Sequence, residues 1–409
     1  MPVTVWILAF VAWLYFVSLD MYATGLPLAL TAAGATESWV GFIAGLMGLA
    51  AVVQRPFLAA WGDRRGHGPL LRLSLLAAIA AGGLYAAGGG PAAQVAARIL
   101  QGTSLAGLIV ASQALMAAAA PPAVRGRALA LQGLADTGGV LLGPALGDWV
   151  WQVYGGTGLF MGAAALALVA LLVAVFLLPA GSREVLAGGG DKSSAAPAPA
   201  TGAAGEGVSG RPAVAEVPGA RVLPHRAAVL VMGLAIGTVF GAVLNLTVLH
   251  ARATGYEAGV WLGAFAVVAM GARYGAGFLA DRGWDAPLLP AAFAVMAAGS
   301  ALMIAAATPP VAYAAAAVVA TGYGAAHTTL VTRVVARAPA RRRGVAAGWV
   351  ATAIDLGVGL GVTALGAILE LFSFAAMYAA MAAAALAGGA VAWISSTGRA
   401  PRPDTSRSG

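Results

Sequence analysis

The chain alternates long apolar runs with short polar stretches. An α-helix needs roughly 20 apolar residues to cross a bilayer. Runs of about that length fall at about 5–30, 38–61, 69–88, 92–118, 127–150, 157–179, 226–250, 257–280, 286–307, 311–335, 344–369 and 373–395. Backbone groups in hydrocarbon must bond to one another, and barrel strands would be only about 10 residues long with alternating polarity. The pattern therefore predicts an all-α integral membrane protein with twelve transmembrane helices, which we call spans 1 to 12.

Composition agrees with a lipid environment. Of the 409 residues, 60% are hydrophobic and 9% are charged, whereas a soluble domain carries about 25% charged residues. A packed globule of this length could not cover itself with polar surface, so we expect the lipid bilayer as its surroundings. The sequence contains no cysteine, which excludes disulfides and thiolate metal sites. We expect neither a metal nor a cofactor.

A polar segment divides the spans into two groups of six. Within residues 181–225, the stretch Gly188–Gly210 consists almost entirely of Gly, Ala, Ser, Thr, Pro and a few charges. Such a segment cannot bury a core and is predicted to be a disordered linker. We therefore predict an N-terminal six-helix bundle at 1–180, a C-terminal six-helix bundle at 226–396 and a polar tail at 397–409.

The two groups repeat each other at a constant offset of 218 residues. Charged residues are rare here, which makes matching Arg and Asp positions informative. The matches are Arg55 with Arg273, Asp63-Arg64 with Asp281-Arg282, Arg125-Gly126 with Arg343-Gly344, Gly139 with Gly357, and Gly143 with Gly361. Internal repeats indicate a duplicated fold, and in transporters they create a pathway between two halves that rock about a midplane site. The sequence thus predicts two pseudo-symmetric bundles.

The distribution of charge predicts topology. The formal net charge of +8 comes from basic residues in the linker, the tail and alternate connections, starting with the one between spans 2 and 3. The other connections are nearly free of positive charge, with Arg252 as the exception. This positive-inside pattern places both termini and the linker in the cytoplasm, and it explains the basic charge without a nucleic-acid partner. The Ala-, Gly- and Arg-rich composition suggests a bacterial cytoplasmic membrane.

The connection after span 2 carries the first recognisable motif. It runs from Arg55 through Asp63, Arg64 and Gly66, and its repeat after span 8 contains Gly277, Asp281 and Arg282. The pattern resembles the Gly-x-x-x-Asp-Arg-x-Gly signature of the major facilitator superfamily, although Ala59 stands where that family usually has Gly. The resemblance implies that Arg55, Asp63, Arg64, Gly66, Asp281 and Arg282 form a conformational latch between the halves. On the residues alone, they could also serve only to fix topology.

Span 4 and span 1 carry charges inside apolar runs. Arg98 is followed by Gln101 and Gly102, which resembles the family's Arg-x-x-Gln-Gly signature, linked to proton coupling. At 1.5 Å per residue, Asp20 and Arg98 could lie at similar depth, and an ion pair would reduce the cost of burying both. Alternatively, Arg98 reaches the interface as a structural residue, and Asp20 caps a helix break before Pro27.

Span 5 carries glycines at a spacing of four, Gly139, Gly143 and Gly147, with Pro144 after the second. This run permits close packing and a bend. It resembles the Gly-x-x-x-Gly-Pro-x-x-Gly signature of drug:proton antiporters within the same superfamily.

Other polar or aromatic residues in the spans are candidates for function because polar groups are costly in hydrocarbon. Asp136 and Asp355 occupy nearly equivalent places in the repeat and join Asp20 and Arg98 as proton-coupling candidates. Candidates for the substrate cavity are Tyr22, Gln101, Gln132, Asn245, His327 and Trp349. For each residue alone, a hydrogen bond between helices is an equal alternative.

These features favour a monomeric secondary transporter that exports a small organic molecule, a drug or a metabolite, by proton antiport. Uptake of a sugar or organic acid by proton symport or uniport remains an alternative, because a fold does not fix direction. A membrane enzyme or a receptor is disfavoured. The sequence shows no catalytic motif, no phosphate-binding loop and no folded soluble domain.

Overall fold

The computed structural model describes residues 1–121, 124–178, 226–339 and 343–397. Every regular element in these ranges is a helix. The predicted linker at 181–225 and the tail beyond Thr397 lie outside the described residues, so the domain boundaries stay predictions.

The N-terminal half contains spans 1 to 6. Span 1 comprises Val3–Asp20 and Tyr22–Ala32, span 2 is Glu37–Arg65, span 3 is His67–Ala86, span 4 is Pro91–Ala119, and spans 5 and 6 lie within Arg125–Phe176. Gly155 separates spans 5 and 6, because its backbone has φ 68° and ψ −168° in the middle of that segment. A positive φ is accessible to Gly without steric cost. The chain therefore reverses there without a loop.

The C-terminal half contains spans 7 to 12. Span 7 comprises Arg226–Asn245 and Thr247–Thr254, span 8 is Ala258–Asp281, span 9 is Asp285–Leu302 with the 3-10 turn Met303–Ala305, and span 10 is Pro309–Arg337. Span 11 comprises Arg343–Leu356, the π-helical segment Gly357–Gly361 and Val362–Leu371, and span 12 is Phe374–Thr397. Eleven apolar helices in the described residues are long enough to cross a membrane, and the break at Gly155 divides the longest into two. The predicted all-α fold is confirmed.

The two ends of the bundle differ in their connections. At one end lie the arginine-bearing connections after spans 2, 4, 8 and 10, and we call it the Arg-rich end. At the other, Arg-poor end, the turns between described helices are short. They are Ala33–Thr36, Ala87–Gly90, Gly155, Gly255–Glu257, Ala306–Thr308 and Phe372–Ser373.

The halves pack against each other through spans 2 and 11. Along this contact, a Cβ on Gly41 would lie 2.7 Å from the Val362 carbonyl oxygen, and one on Gly45 would overlap the Gly359 carbonyl. At the Arg-poor end of the same contact, the Glu370 carboxylate accepts a 2.8 Å hydrogen bond from the Ser38 backbone N–H. The glycines let the two backbones touch, so the halves are closed on this side of the molecule.

Spans 5 and 8 form the second contact between the halves. A Cβ on Gly259, in the first turn of span 8, would lie 3.1 Å from Asp148 Oδ2 on span 5. At the Arg-rich end, by contrast, the side chains of Asp63, Arg64 and Arg282 form no hydrogen bond or ion pair with described residues of the opposite half. The described polar contacts between the halves thus lie toward the Arg-poor end and the middle.

Candidate functional site

Arg98 forms the polar centre of the N-terminal half. Its side chain is 3% exposed. Its Nε donates to the Ile43 carbonyl oxygen at 2.9 Å, and one Nη2 bond goes to the Ala44 carbonyl at 3.3 Å. Its Nη1 donates to Gln101 Oε1 at 2.6 Å. The guanidinium is thus held by span 2 carbonyls and by a neutral amide one helical turn away.

Asn245 connects this centre to the other half. Its Oδ1 accepts a 3.5 Å hydrogen bond from Arg98 Nη2, and its own amide donates to the Gly241 carbonyl at 2.9 Å. Asn245 is the last residue of the first helix of span 7. Arg98, Gln101 and Asn245, all predicted as site residues, therefore lie together between spans 4 and 7.

The predicted ion pair between Asp20 and Arg98 is wrong for this structure. None of the described arginines lies within ion-pair distance of Asp20. Asp20 points toward span 5, where a Cβ on Gly139 would lie 2.8 Å from its Oδ2 and one on Gly143 would lie 2.6 Å from its Cβ. Arg98 points toward span 2. Similar depth along two helices does not make their side chains face each other.

The glycine run of span 5 forms a seam with span 1. Gly139 packs on Phe16, Gly143 packs on Asp20, and a Cβ on Gly147 would overlap the Met21 carbonyl. The Pro144 carbonyl accepts a 3.2 Å hydrogen bond from the Thr24 hydroxyl of span 1. The seam explains the spacing of the glycines by close backbone approach. Whether it serves antiport stays a prediction.

Arg55 and Asp355 join the halves by an ion pair. Arg55 Nη2 on span 2 lies 2.6 Å from Asp355 Oδ2 on span 11, and the two side chains are 19% and 24% exposed. The sequence placed Arg55 in a latch and Asp355 among the proton-coupling residues, so their direct contact was not anticipated.

A small cavity between the halves contains Asp136. It is lined by Asp136, Thr137, Val140, Phe240, Phe265, Ala266, Ala269, Met270, Arg273 and Tyr323. Arg273 of span 8 donates to Thr137 Oγ1 at 3.3 Å and to the Tyr323 hydroxyl at 2.9 Å. The rings of Phe240 and Tyr323 stack with centroids 4.7 Å apart. Arg273 was not among the predicted site residues, although its repeat relationship to Arg55 was the available signal.

The other predicted cavity residues are scattered. The Tyr22 hydroxyl and both polar atoms of the Gln132 amide are buried without hydrogen-bond partners, and the Tyr22 ring packs against the rings of Tyr85 and Phe160. The His327 ring lies 5.9 Å from the Tyr323 ring. Trp349 is 49% exposed and lies beneath the Arg226 guanidinium. None of these four is among the residues that line the cavity around Asp136.

The predicted latch residues make local contacts. Asp63 is 73% exposed and lies 3.5 Å from His67, and Gly66 joins spans 2 and 3 with φ 94°. Arg282 lies over the Phe278 ring at 3.4 Å from its centroid. The side chains of Asp281, Arg125 and Arg343 lie outside the described residues. The latch function therefore stays a prediction.

Among the described residues, no three His, Asp or Glu side chains are grouped so that they could hold a metal ion. The polar groups of the site are Arg98, which donates to backbone carbonyls, and the buried carboxylate of Asp20. Two further arginines contact the opposite half: Arg55 faces the Asp355 carboxylate, and Arg273 faces the Thr137 hydroxyl. Such groups can bind protons and charged ligands and can link the halves.

Solved structures of transporters share this fold. A bacterial homolog of the human lysosomal transporter Spinster, in an inward-facing and unoccupied conformation, superimposes with TM-score 0.74 at 13% identity over 96% of each chain. The nucleoside transporter NupG gives TM-score 0.71 at 12% identity, covering 97% of this chain and 99% of its own. The human organic anion transporter MFSD10 (TETRAN) gives 0.65 at 16% identity, covering 96% and 100%.

At such low identity these likenesses establish the fold alone. No curated protein matches the sequence. The sequence profile of the Major Facilitator Superfamily, however, matches residues 8–362, which spans both halves and the motifs around Asp63, Arg98 and Gly143. The chain is therefore a multi-pass membrane transporter that belongs to the major facilitator superfamily.

Proposed function

We propose that this transporter exports a small organic molecule, a drug or a metabolite, in exchange for protons. The observation that supports this most directly is Asp20. It is 9% exposed within span 1 and has no described cation partner. A carboxylate without a counter-ion inside a membrane is costly and is a candidate for reversible proton binding. Asp20 packs against Gly139 and Gly143, so a change in its charge would act directly on the contact between spans 1 and 5.

The proposed cycle is alternating access. The halves contact each other at the Arg-poor end, and the positive-inside pattern assigns the Arg-rich end to the cytoplasm of a bacterial cell. We therefore take this conformation as one in which a monomer would receive its substrate from the cytoplasm. Rocking of the two repeats would then expose the site at the opposite face, and a proton bound there would return inward.

The choice between export and uptake needs a measurement of coupled flux. We propose proteoliposomes that contain a lumenal pH-sensitive dye, challenged with ethidium and tetraphenylphosphonium as organic cations, and with glucose and lactate as uptake probes. Antiport predicts that inward movement of a cation expels protons from the lumen. Movement of any probe without proton flux, or with protons in the same direction, would sink the proposal.

Asp20→Asn tests the role of the carboxylate within that assay. We expect it to abolish substrate-driven proton movement, because the amide cannot take up a proton. Glu257→Gln is the matched control, since Glu257 is an exposed carboxylate at the start of span 8. Unchanged proton coupling in Asp20→Asn would remove Asp20 from the mechanism.

A further inference from the structure

Two arginines and two aspartates between the halves are related by the internal repeat. Arg55 and Arg273 are separated by the 218-residue offset, and Asp136 and Asp355 differ from it by one residue. Arg55 of the N-terminal half meets Asp355 of the C-terminal half. Arg273 of the C-terminal half shares a cavity with Asp136 of the N-terminal half. The arrangement is reciprocal across the pseudo-twofold axis.

The four residues lie at comparable depth. Arg55 precedes the Arg-rich end of span 2 by ten residues, and Arg273 precedes that of span 8 by eight residues, which is about 15 and 12 Å at 1.5 Å per residue. Asp136 and Asp355 lie eleven and twelve residues into spans 5 and 11 from the same end, about 17 and 18 Å. Both arginine–aspartate sets can therefore meet in the plane where the halves approach each other.

The two sets are in different states. Arg55 and Asp355 are in contact at 2.6 Å, whereas no ion pair forms between Arg273 and Asp136. Arg273 instead donates to the hydroxyls of Thr137 and Tyr323, and its Nε is buried without a partner. Thr137 is the neighbour of Asp136 in span 5. A small shift between spans 5 and 8 would thus exchange the Thr137 hydroxyl for the carboxylate.

We propose that Arg273 and Asp136 form a second ion pair between the halves when the Arg-rich end closes, and that a proton on Asp136 prevents this pair. Arg273 is then a positioning residue, which converts the charge of Asp136 into attraction between spans 5 and 8. In the antiport cycle the proton enters from water at the Arg-poor side and converts the carboxylate to a neutral acid, and it is released at the Arg-rich side once that end has opened. The part of the inference that concerns the proton rests on the proposed antiport, whereas the pairing itself does not.

Other charged or titratable groups face Asp136 from each neighbouring element. Asp20 on span 1 and Asp355 on span 11 are near enough to act on it electrostatically. Tyr323 lines the same cavity from span 10, with His327 one turn further along and close to Arg273. Because Asp355 is occupied by Arg55, Arg273 is the cation available to Asp136.

Distance measurements between spin labels test the pairing without a substrate. The chain has no cysteine, so Leu129→Cys with Phe278→Cys labels spans 5 and 8 alone, at side chains that are 38% and 53% exposed. Phe57→Cys with Val345→Cys reports on spans 2 and 11 in the same way, with side chains 73% and 62% exposed. Electron–electron distances would be recorded in lipid nanodiscs at about pH 5 and about pH 9, the range in which Asp136 must gain and lose its proton if that proton controls the pair. An ordinary carboxyl, with a pKa of about 4, stays mostly ionised throughout this range.

We expect the short distance between spans 5 and 8 to be about fivefold or more enriched at alkaline pH, the lower range of allosteric couplings. Asp136→Asn and Arg273→Gln should each remove this pH response, Arg273→Lys should keep part of it, and the exchange Asp136→Arg with Arg273→Asp should restore the short distance. Arg55→Gln should alter the distance between spans 2 and 11 while the response of spans 5 and 8 persists.

A pH response that survives in Asp136→Asn or Arg273→Gln would overturn the inference, as would a charge exchange that fails to restore the short distance while the labelled protein elutes as a folded monomer. The outcome is separable from the proposed function. If the distances follow these predictions but the protein moves no protons, antiport is rejected and the ion pair between Arg273 and Asp136 is still supported.

Discussion

Arg98 Nη2 lies 3.5 Å from Asn245 Oδ1, so the polar centre of the N-terminal half touches span 7 of the other half. The remaining guanidinium bonds stay within the N-terminal half. The contact to Asn245 is therefore one that must change when the halves move.

Asn245→Asp should strengthen this contact. The present bond already has an ionised donor, and a carboxylate at position 245 would turn it into an ion pair, which is attracted more strongly in a buried site than in water. The carboxylate should therefore hold Arg98 and favour closure at the Arg-poor end. We expect slower substrate turnover and a higher melting temperature, measured in proteoliposomes and in detergent. Asn245→Ala is the control that removes the bond without adding charge. Equal turnover in the two variants would contradict this role for Asn245.

Glu370→Gln should loosen closure at the Arg-poor end. The carboxylate caps the first turn of span 2 through the Ser38 N–H, and a negative charge at a helix N-terminus is favourable. We expect greater labelling, by a membrane-impermeant maleimide, of a cysteine introduced at Thr363, whose hydroxyl lies 3.5 Å from the Gly41 carbonyl oxygen in the contact between spans 2 and 11. Ser38→Pro should have the same effect because it removes the donor, and proline is tolerated in a first turn. Ser38→Ala keeps the N–H but removes the hydroxyl, which also interacts with the Glu370 carboxylate, so its labelling should lie between that of the wild type and that of Glu370→Gln. Labelling equal to the wild type in all three variants would rule the cap out.

Gly45→Ala should separate spans 2 and 11. The added Cβ would overlap the Gly359 carbonyl, which is backbone and cannot rotate away. Overpacking of this kind costs about 1–3 kcal/mol, so we expect a lower melting temperature and wider opening at the Arg-poor end. Gly348→Ala is the matched control on span 11, since nothing lies within 4 Å of its Cβ position. A melting temperature equal to that of the control would show that the contact is looser than described.

Gly143→Ala should displace Asp20. Its Cβ would lie 2.6 Å from Asp20 Cβ and 2.9 Å from the Val17 carbonyl oxygen, so span 1 must shift from span 5. We expect substrate-driven proton movement to fall by up to about a hundredfold, because a misplacement of about 1 Å can cost that much. Gly133→Ala lies in the same helix with open space around its Cβ position and should leave coupling intact. If both variants couple normally, the seam does not position Asp20.

The fold could be predicted from the sequence because the lengths of the apolar runs and the positions of the repeated charges do not depend on how the helices pack. The site could be predicted only in part. Depth along a span follows from counting residues, which placed Asp20 near Arg98, but the direction of each side chain around its helix depends on how neighbouring helices rotate. For that reason the Asp20–Arg98 pair was wrong.

The contact of Arg55 with Asp355 could not be predicted from the sequence for a related reason. Both residues stood out as charges in apolar runs, yet nothing in the chain says which span faces which across the halves. Arg273 was visible only as the repeat of Arg55, and its cavity exists only once spans 5, 7, 8 and 10 are assembled.

The turns at the Arg-poor end, of which Ala33–Thr36 and Ala87–Gly90 are the longest between described helices, leave almost nothing raised above the helix ends. An antibody fragment selected against that face would find a shallow epitope that changes shape whenever the halves part. Binders or fusion partners added to enlarge the particle for electron microscopy should therefore be attached at the Arg-rich end. Binders that do attach to the Arg-poor face should hold the protein in a single conformation.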